Sequence, residues 1–154
     1  MKHYLKFKDT IDSLINNSDN YIIFNDGKAI KYNINDDILI NVDEIAERSI
    51  KRSDMEEDII ANSKFCVSVD FLSDVDLKLI YLNDEEKNIT FFFNIKKDKN
   101  VRITNLYVDF ECSTNTLVEY NVEEGAMLTV CDFASLNTNI NEYVNYYLNE
   151  KSNL

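Results

Sequence analysis

Few residues in this chain have the chemistry for catalysis or metal binding. Cys112 and Cys131 stand 19 positions apart, each in or beside a strand-like run. Two neighbouring thiolates would suit a soft metal, but a closed zinc site needs four ligands and no further Cys or His falls in register with them. Cys66 makes the count of thiols odd, with no CxxC spacing. Free cysteines of this kind ordinarily pack as small hydrophobes, and that is their expected role here. His3 is the only histidine and sits near a terminus, which leaves a Ser–His or Cys–His nucleophile without a base. The doublets Glu123-Glu124, Glu85-Glu86 and Asp36-Asp37 are the carboxylate candidates. Adjacent strand residues point to opposite faces, so each doublet offers one carboxylate per face. No calcium-loop pattern accompanies them. Solvated turns are the expected setting. Gly27 and Gly125 are the only glycines and stand alone, so no phosphate-cradling loop is formed. The expectation is a non-enzyme without catalytic, cofactor-binding or metal-binding residues, and without a cofactor.

The elements that hold these residues show in the patterning. Residues 3 to 16 place Tyr4, Leu5, Phe7, Ile11, Leu14 and Ile15 mostly three and four apart, an amphipathic helix pattern. Two apolar runs, Tyr21 to Phe24 and Lys28 to Tyr32, flank Asn25-Asp26-Gly27. An Asp-Gly pair between such runs predicts a hairpin with a type I′ turn. A third short strand over 37 to 42 is expected alongside. Residues 43 to 62 read as helix with Asp43 as N-cap, Ser53-Asp54 as a break and mixed charges on a solvated face.

From Phe65 onward the chain reads as strands, and a unit recurs. Val118, Tyr120 and Val122 alternate with polar residues, Gly125 turns, and Leu128 and Val130 resume the apolar side. Phe91, Phe93, Ile95, Asp98, Val101 and Ile103 fall on this frame one unit earlier. Val67, Val69, Phe71, Asp74, Leu77 and Leu79 do so two units earlier. Val144, Tyr146, Leu148, Lys151 and Leu154 follow it. The spacings are 24, 27 and 26 residues, the signature of coils stacked through their apolar faces. Loops are expected at 83–88, 112–115 and 137–139. The expected fold is mainly β, a right-handed β-helix or solenoid-like stack of about four coils, with a β-sandwich as the alternative. Residues 1–64 form a small α+β helix–hairpin–helix region ahead of the repeat region at 65–154. Nothing follows Leu154 to cover the last coil, so the repeat region is expected to be incomplete there, or covered by another subunit.

At 154 residues this is one domain, or one domain with a small appendage, large enough to fold without disulfide or metal staples. The 28 Asp and Glu against 16 Lys and Arg give a net charge of −12. Such a field repels phosphate backbones and anionic membranes, so neither nucleic acid nor a membrane is an expected partner. Odd, unpaired thiols and the absence of a signal-like or membrane-spanning run point to a reduced, cytoplasmic setting. The Asn-x-Ser at Asn16 and Asn-x-Thr at Asn88 are then chance matches.

The segment Thr116-Leu-Val-Glu-Tyr-Asn-Val-Glu-Glu-Gly-Ala-Met-Leu-Thr-Val, followed a coil later by Tyr143-Val-Asn-Tyr-Tyr-Leu-Asn-Glu-Lys-Ser-Asn-Leu, resembles the SufB/SufD family. These are β-helical scaffold subunits of iron–sulfur cluster assembly, in which a strand, an acidic-Gly-Ala turn and a second strand recur. The likeness covers residues 65 to 154. It implies a non-catalytic scaffold acting through protein contacts, with another β-helical subunit and an ABC-type ATPase as partners. The family's ATPase-binding region and cluster-related residues lie beyond the part matched. No functional residue carries over, Cys112 and Cys131 included, and the resemblance implies an N-terminal portion or a reduced homologue. The alternative from the residues alone is an unrelated acidic β-solenoid or sandwich serving as an interaction module. A sugar-processing β-helix would need two carboxylates across a groove.

Overall fold

The computed structural model describes residues 2–15, 20–42, 52–135 and 138–154, without the His3 side chain. The expected N-cap Asp43 and the first half of the 43–62 helix lie outside the described residues. The expected N-terminal helix is two short pieces, α1 (Lys2–Lys6) and α2 (Lys8–Leu14), parted at Phe7 where φ is −105° and ψ 12°. Their apolar residues pack with Tyr21, Ile23, Ile80 and Leu82, which shows that the helices lie on the outside of a sheet. Strands β1 (Asn20–Asn25) and β2 (Lys28–Asn33) form the antiparallel hairpin. Asp26 and Gly27 have φ of 53° and 74°, the two left-handed residues that a type I′ turn needs. Strand β3 (Ile38–Val42) leaves the hairpin and pairs antiparallel with β4 (Cys66–Phe71) on another face.

The rest is a β-solenoid of about three turns. Its remaining strands are β5 (Val75–Asn83), β6 (Asn88–Ile95), β7 (Asn100–Val122), β8 (Met127–Ala134) and β9 (Thr138–Leu148). One face stacks β1, β5, the first part of β7 and β8, all parallel. The other stacks β4, β6, the last part of β7 and β9, also parallel. The 23-residue β7 serves both faces by running extended around a corner, with register shifts where it turns. Residues 112–115, expected as a loop, are therefore strand. The chain stays extended there because the buried Thr114 hydroxyl donates to the Glu86 carbonyl and accepts from Asn83 Nδ2 at 2.8 Å.

Between the faces lies one apolar core running from Ile22 and Phe24 to Leu128. Strand β6 is buried on both sides: Phe91 and Phe93 point inward and Phe92 outward, giving the near-continuous apolar run of a covered parallel strand. The aromatic rows are vertical. Phe93, Tyr120 and Tyr146 stack with ring centroids 5.3 and 5.1 Å apart, and Phe24, Tyr81 and Tyr107 with 5.4 and 4.7 Å. The expected register holds from β6 to β7 and from β7 to β9, with Phe91 on Val118 and Val118 on Val144. The turn slot holds in the later units, since Asp98, Gly125 and Lys151 have φ of 61°, 70° and 57°, but not at Asp74 of the first unit. The first unit departs from the expected frame. Leu77 lies on Ile103 rather than Val101, because the first turn, residues 72–74, is two residues shorter than the frame assumed.

Helix α3 (Asp54–Asn62) covers the outer side of β6 and β7, with Ile59 and Ile60 against Phe92 and Leu117. The expected break at Ser53 is its N-cap: Ser53 Oγ accepts the Glu56 N–H at 3.2 Å, and Asp54, Glu56 and Glu57 sit where the helix dipole favours acids. Just before it, Arg52 forks onto Glu119, Nε to Oε2 at 2.8 Å and Nη2 to Oε1 at 2.9 Å. The side-chain exposures are 8% and 0%, so neither charge can fall back on water. Removing one partner strands the other, at a typical cost of about 3–5 kcal/mol. Arg52→Ala is expected to lower unfolding stability by about that amount. Arg52→Met with Glu119→Leu should recover most of it. Urea unfolding of both variants checks this, and a loss in Arg52→Ala below about 1 kcal/mol, the worth of an exposed pair, would refute the assignment.

Candidate functional site

The structure disperses the residues with chemical potential. Cys66 is buried under α3, Cys112 is half-buried at the β7 corner and Cys131 is exposed on β8. Cys112 Sγ accepts from Asn83 Nδ2 at 3.3 Å and donates to the Glu86 carbonyl at 3.4 Å, a packed corner thiol. Among the described residues no three His, Cys, Asp or Glu side chains gather around a point that could hold an ion. The acidic doublets shape turns. Glu123 accepts the Lys97 N–H and faces Lys96 at 3.4 Å, while Glu124 faces Lys97 at 3.7 Å. Glu86 faces Lys64 at 3.7 Å, the Glu85 N–H donates to Asp26, and the Asp37 N–H donates to Asn35. A cleft of about 500 Å³ beside the hairpin turn is lined by Asp26, Lys28, Lys64, Phe65 and Glu86. Its charges already hold one another and the chain: both ammonium groups lie over the Phe65 ring, at 5.8 and 5.6 Å, and Asp26 accepts two backbone N–H groups.

The feature that stands apart is the end of the stack. At the first coil, β2 and β3 lie antiparallel on β1 and β4 and are the edge strands of that end. At the last coil β9 pairs with β7, and β8 pairs with β7 and, at Met127, with Asn153, whose backbone bonds Ala126 and Leu128. Beyond Leu128 the outer edge of β8, like that of β9, has no strand paired to it among the described residues. Tyr120, one rung in, is 2% exposed; Tyr146, stacked on it, is 38% exposed. Leu148 and Leu154 are 51% and 58% exposed.

This end also has a polar interior. Asn105, inside the solenoid, accepts from the Tyr81 hydroxyl at 2.9 Å and donates to the Tyr120 hydroxyl at 3.0 Å and to Asp132 Oδ1 at 2.8 Å. Across from it the Tyr107 hydroxyl donates to Glu142 Oε1 at 2.6 Å. Asp132 on β8 and Glu142 on β9 thus occupy inward slots of the last rung, directly above Asn105 and Thr116. Burial pushes the Glu142 carboxyl above its ordinary range; the Tyr107 hydrogen bond pulls it partly back, and the Asp132 charge adds a smaller push. Burial raises the phenols of Tyr81, Tyr107 and Tyr120 far above that of free tyrosine.

Sequence reasoning did not single out Asp132 or Glu142. The signal was present: extending the frame past Ile103 and Val130 by one inward slot pairs Asn105 with Asp132, two polar residues where the pattern calls for apolar ones.

Raised folded-state phenol values mean that the folded chain is favoured while these groups stay protonated, and loses stability as pH rises past the ordinary phenol value of about 10. Alkaline titration followed by phenolate absorbance is expected to leave Tyr81, Tyr107 and Tyr120 neutral until the chain unfolds, then release them together. Smooth ionisation of all nine tyrosines with circular dichroism unchanged would contradict the buried network. Comparison with protein-family models, curated proteins and solved structures finds no match to this chain.

Proposed function

We propose that the chain is a non-catalytic β-solenoid scaffold that works through protein contacts at the open end of its stack, in the manner of SufB/SufD subunits of iron–sulfur cluster assembly. One observation carries the reading. Among the described residues β9, and β8 beyond Leu128, leave strand edges and inward side chains without cover, with Tyr146 38% and Leu148 51% exposed. An uncovered pair of parallel edges is a template for another strand pair. The dispersed thiols and the turn-bound acids supply no competing chemistry. The SufB/SufD part of the reading rests on the acidic-Gly-Ala turn at Glu124-Gly125-Ala126 and the strands on either side of it, and it names the partners as a second β-helical subunit and an ABC-type ATPase.

The test is co-purification of the tagged chain with SufB/SufD-type and ABC-type ATPase subunits from its own host. A β-helical subunit is expected to elute with it, and Tyr146→Asp with Leu148→Asp should abolish the association while the far-ultraviolet spectrum stays native. A chain that ignores both subunits would refute the iron–sulfur assignment. Unchanged capture by the double variant would refute the open end as the contact.

A further inference from the structure

The uncovered rung carries information about what fits it. Its uncovered inward slots are Val130, Asp132 and Ala134 on β8 and Glu142, Val144, Tyr146 and Leu148 on β9, while Leu128, where Asn153 pairs, is buried. This layer is apolar apart from two carboxylates, one from each face. Asp132 is held by Asn105 and Glu142 by Tyr107, both neutral donors. Among the described residues neither carboxylate has a Lys or Arg partner. Asp132 stands one rung above Asn105 and Glu142 one rung above Thr116, on the two faces of the same end.

A coil laid over this end would take both carboxylates out of water, which is costly unless a cation goes with them. A second copy of this chain would bring two more carboxylates into the same layer, on a molecule already at −12. An all-apolar coil would leave both charges unpaired. From this we infer that the open end accepts a strand pair of another polypeptide that carries a Lys or Arg on its inner face, placed between Asp132 and Glu142, with aliphatic or aromatic residues over Val130, Val144 and Tyr146. The inference deepens the function proposed above and rests on its claim that the open end is the contact surface. The backbone edges supply strand pairing, the aliphatic slots supply area, and the carboxylates choose the partner.

The probe is a synthetic strand peptide of eight residues, the length of β8, with threonine outward and aliphatic residues inward except for lysine in the slot facing Asp132. A second peptide has glutamate in that slot and a third has leucine. Binding to the full chain is measured by fluorescence anisotropy. The lysine peptide is expected to bind at least about tenfold more tightly than either of the others, and the advantage to shrink with added salt. Asp132→Asn with Glu142→Gln should remove the preference while keeping the binding itself. The Glu142 carboxyl titrates above the ordinary range, so acidification should erode the preference at a pH where a free glutamate is still charged.

Equal binding of all three peptides would overturn the cation requirement and leave the open end standing as a contact surface. No binding by any peptide, with the Tyr146→Asp, Leu148→Asp variant indistinguishable from the parent chain in co-purification, would overturn both. The carboxylates would then serve only to repel strand edges. A stable dimer of the unmodified chain at neutral pH in sedimentation would also overturn the proposal, since the four carboxylates would then be tolerated in one layer.

Discussion

Everything in this molecule depends on inward side chains standing in vertical register from rung to rung. A single coil cannot bury its apolar face; it does so only against the coil before and the coil after. The rows Phe93–Tyr120–Tyr146 and Phe24–Tyr81–Tyr107 show the constraint in its plainest form, rings lying nearly parallel at about the spacing of neighbouring strands. Once those rows are set, the turns follow. Asp98, Gly125 and Lys151 adopt the same left-handed backbone because each must reverse the chain at the same height above the same slot. Two of the three are not glycine, a strain that Asp tolerates better than Lys. At Gly125 a Cβ would run into the Asp98 carboxylate of the rung below, so glycine answers crowding as well as φ there.

The parts that could be read from the chain are those which obey this register. Apolar alternation and the glycine turn located β6, the second part of β7, β8 and β9, and paired them correctly. The hairpin at Asp26-Gly27 was readable because its turn chemistry is local. The misplacement of Leu77 has a physical reason: a strand pattern has period two, so a slip of two residues leaves every side chain on its proper face and is invisible to alternation. The corner at Cys112 to Asn115 misled for another reason. Its polar residues look like a loop, yet Thr114 is buried and hydrogen-bonded where β7 changes face. Glu119 was correctly placed on the outer side, but the outer side is not solvent. A helix from elsewhere in the chain lies over it, and nothing in the strand itself announces Arg52.

The polar interior near the last rung is of a different kind from Arg52–Glu119. The outer pair is charge against charge, forked and closed, and it ties α3 to the stack. The inner network is neutral over most of its length: Asn105 links the Tyr81 and Tyr120 hydroxyls, and charge enters only at Asp132, held by Asn105, and at Glu142, held by the Tyr107 hydroxyl. Burial is what keeps the phenols protonated, and protonation is what lets the Tyr81 and Tyr107 hydroxyls donate. The interior thus grades from apolar at the first coil, through hydroxyl and amide, to carboxylate at the last rung.

That gradient bears on how a stack with exposed strand edges resists pairing with other edges. Edge strands invite pairing with any other edge, and inward-pointing charge is one of the ways sheets resist it. Asp132 and Glu142 are so placed, one per edge strand, and each is anchored by a buried donor that fixes where its charge lies. A guard of this sort works by making burial costly, and the cost falls only for a partner that supplies the opposite charge at that position. The two carboxylates therefore need not be assigned either to protection or to recognition. Repelling identical ends and admitting a cationic one follow from the same two groups, because both outcomes are set by what meets them when water leaves.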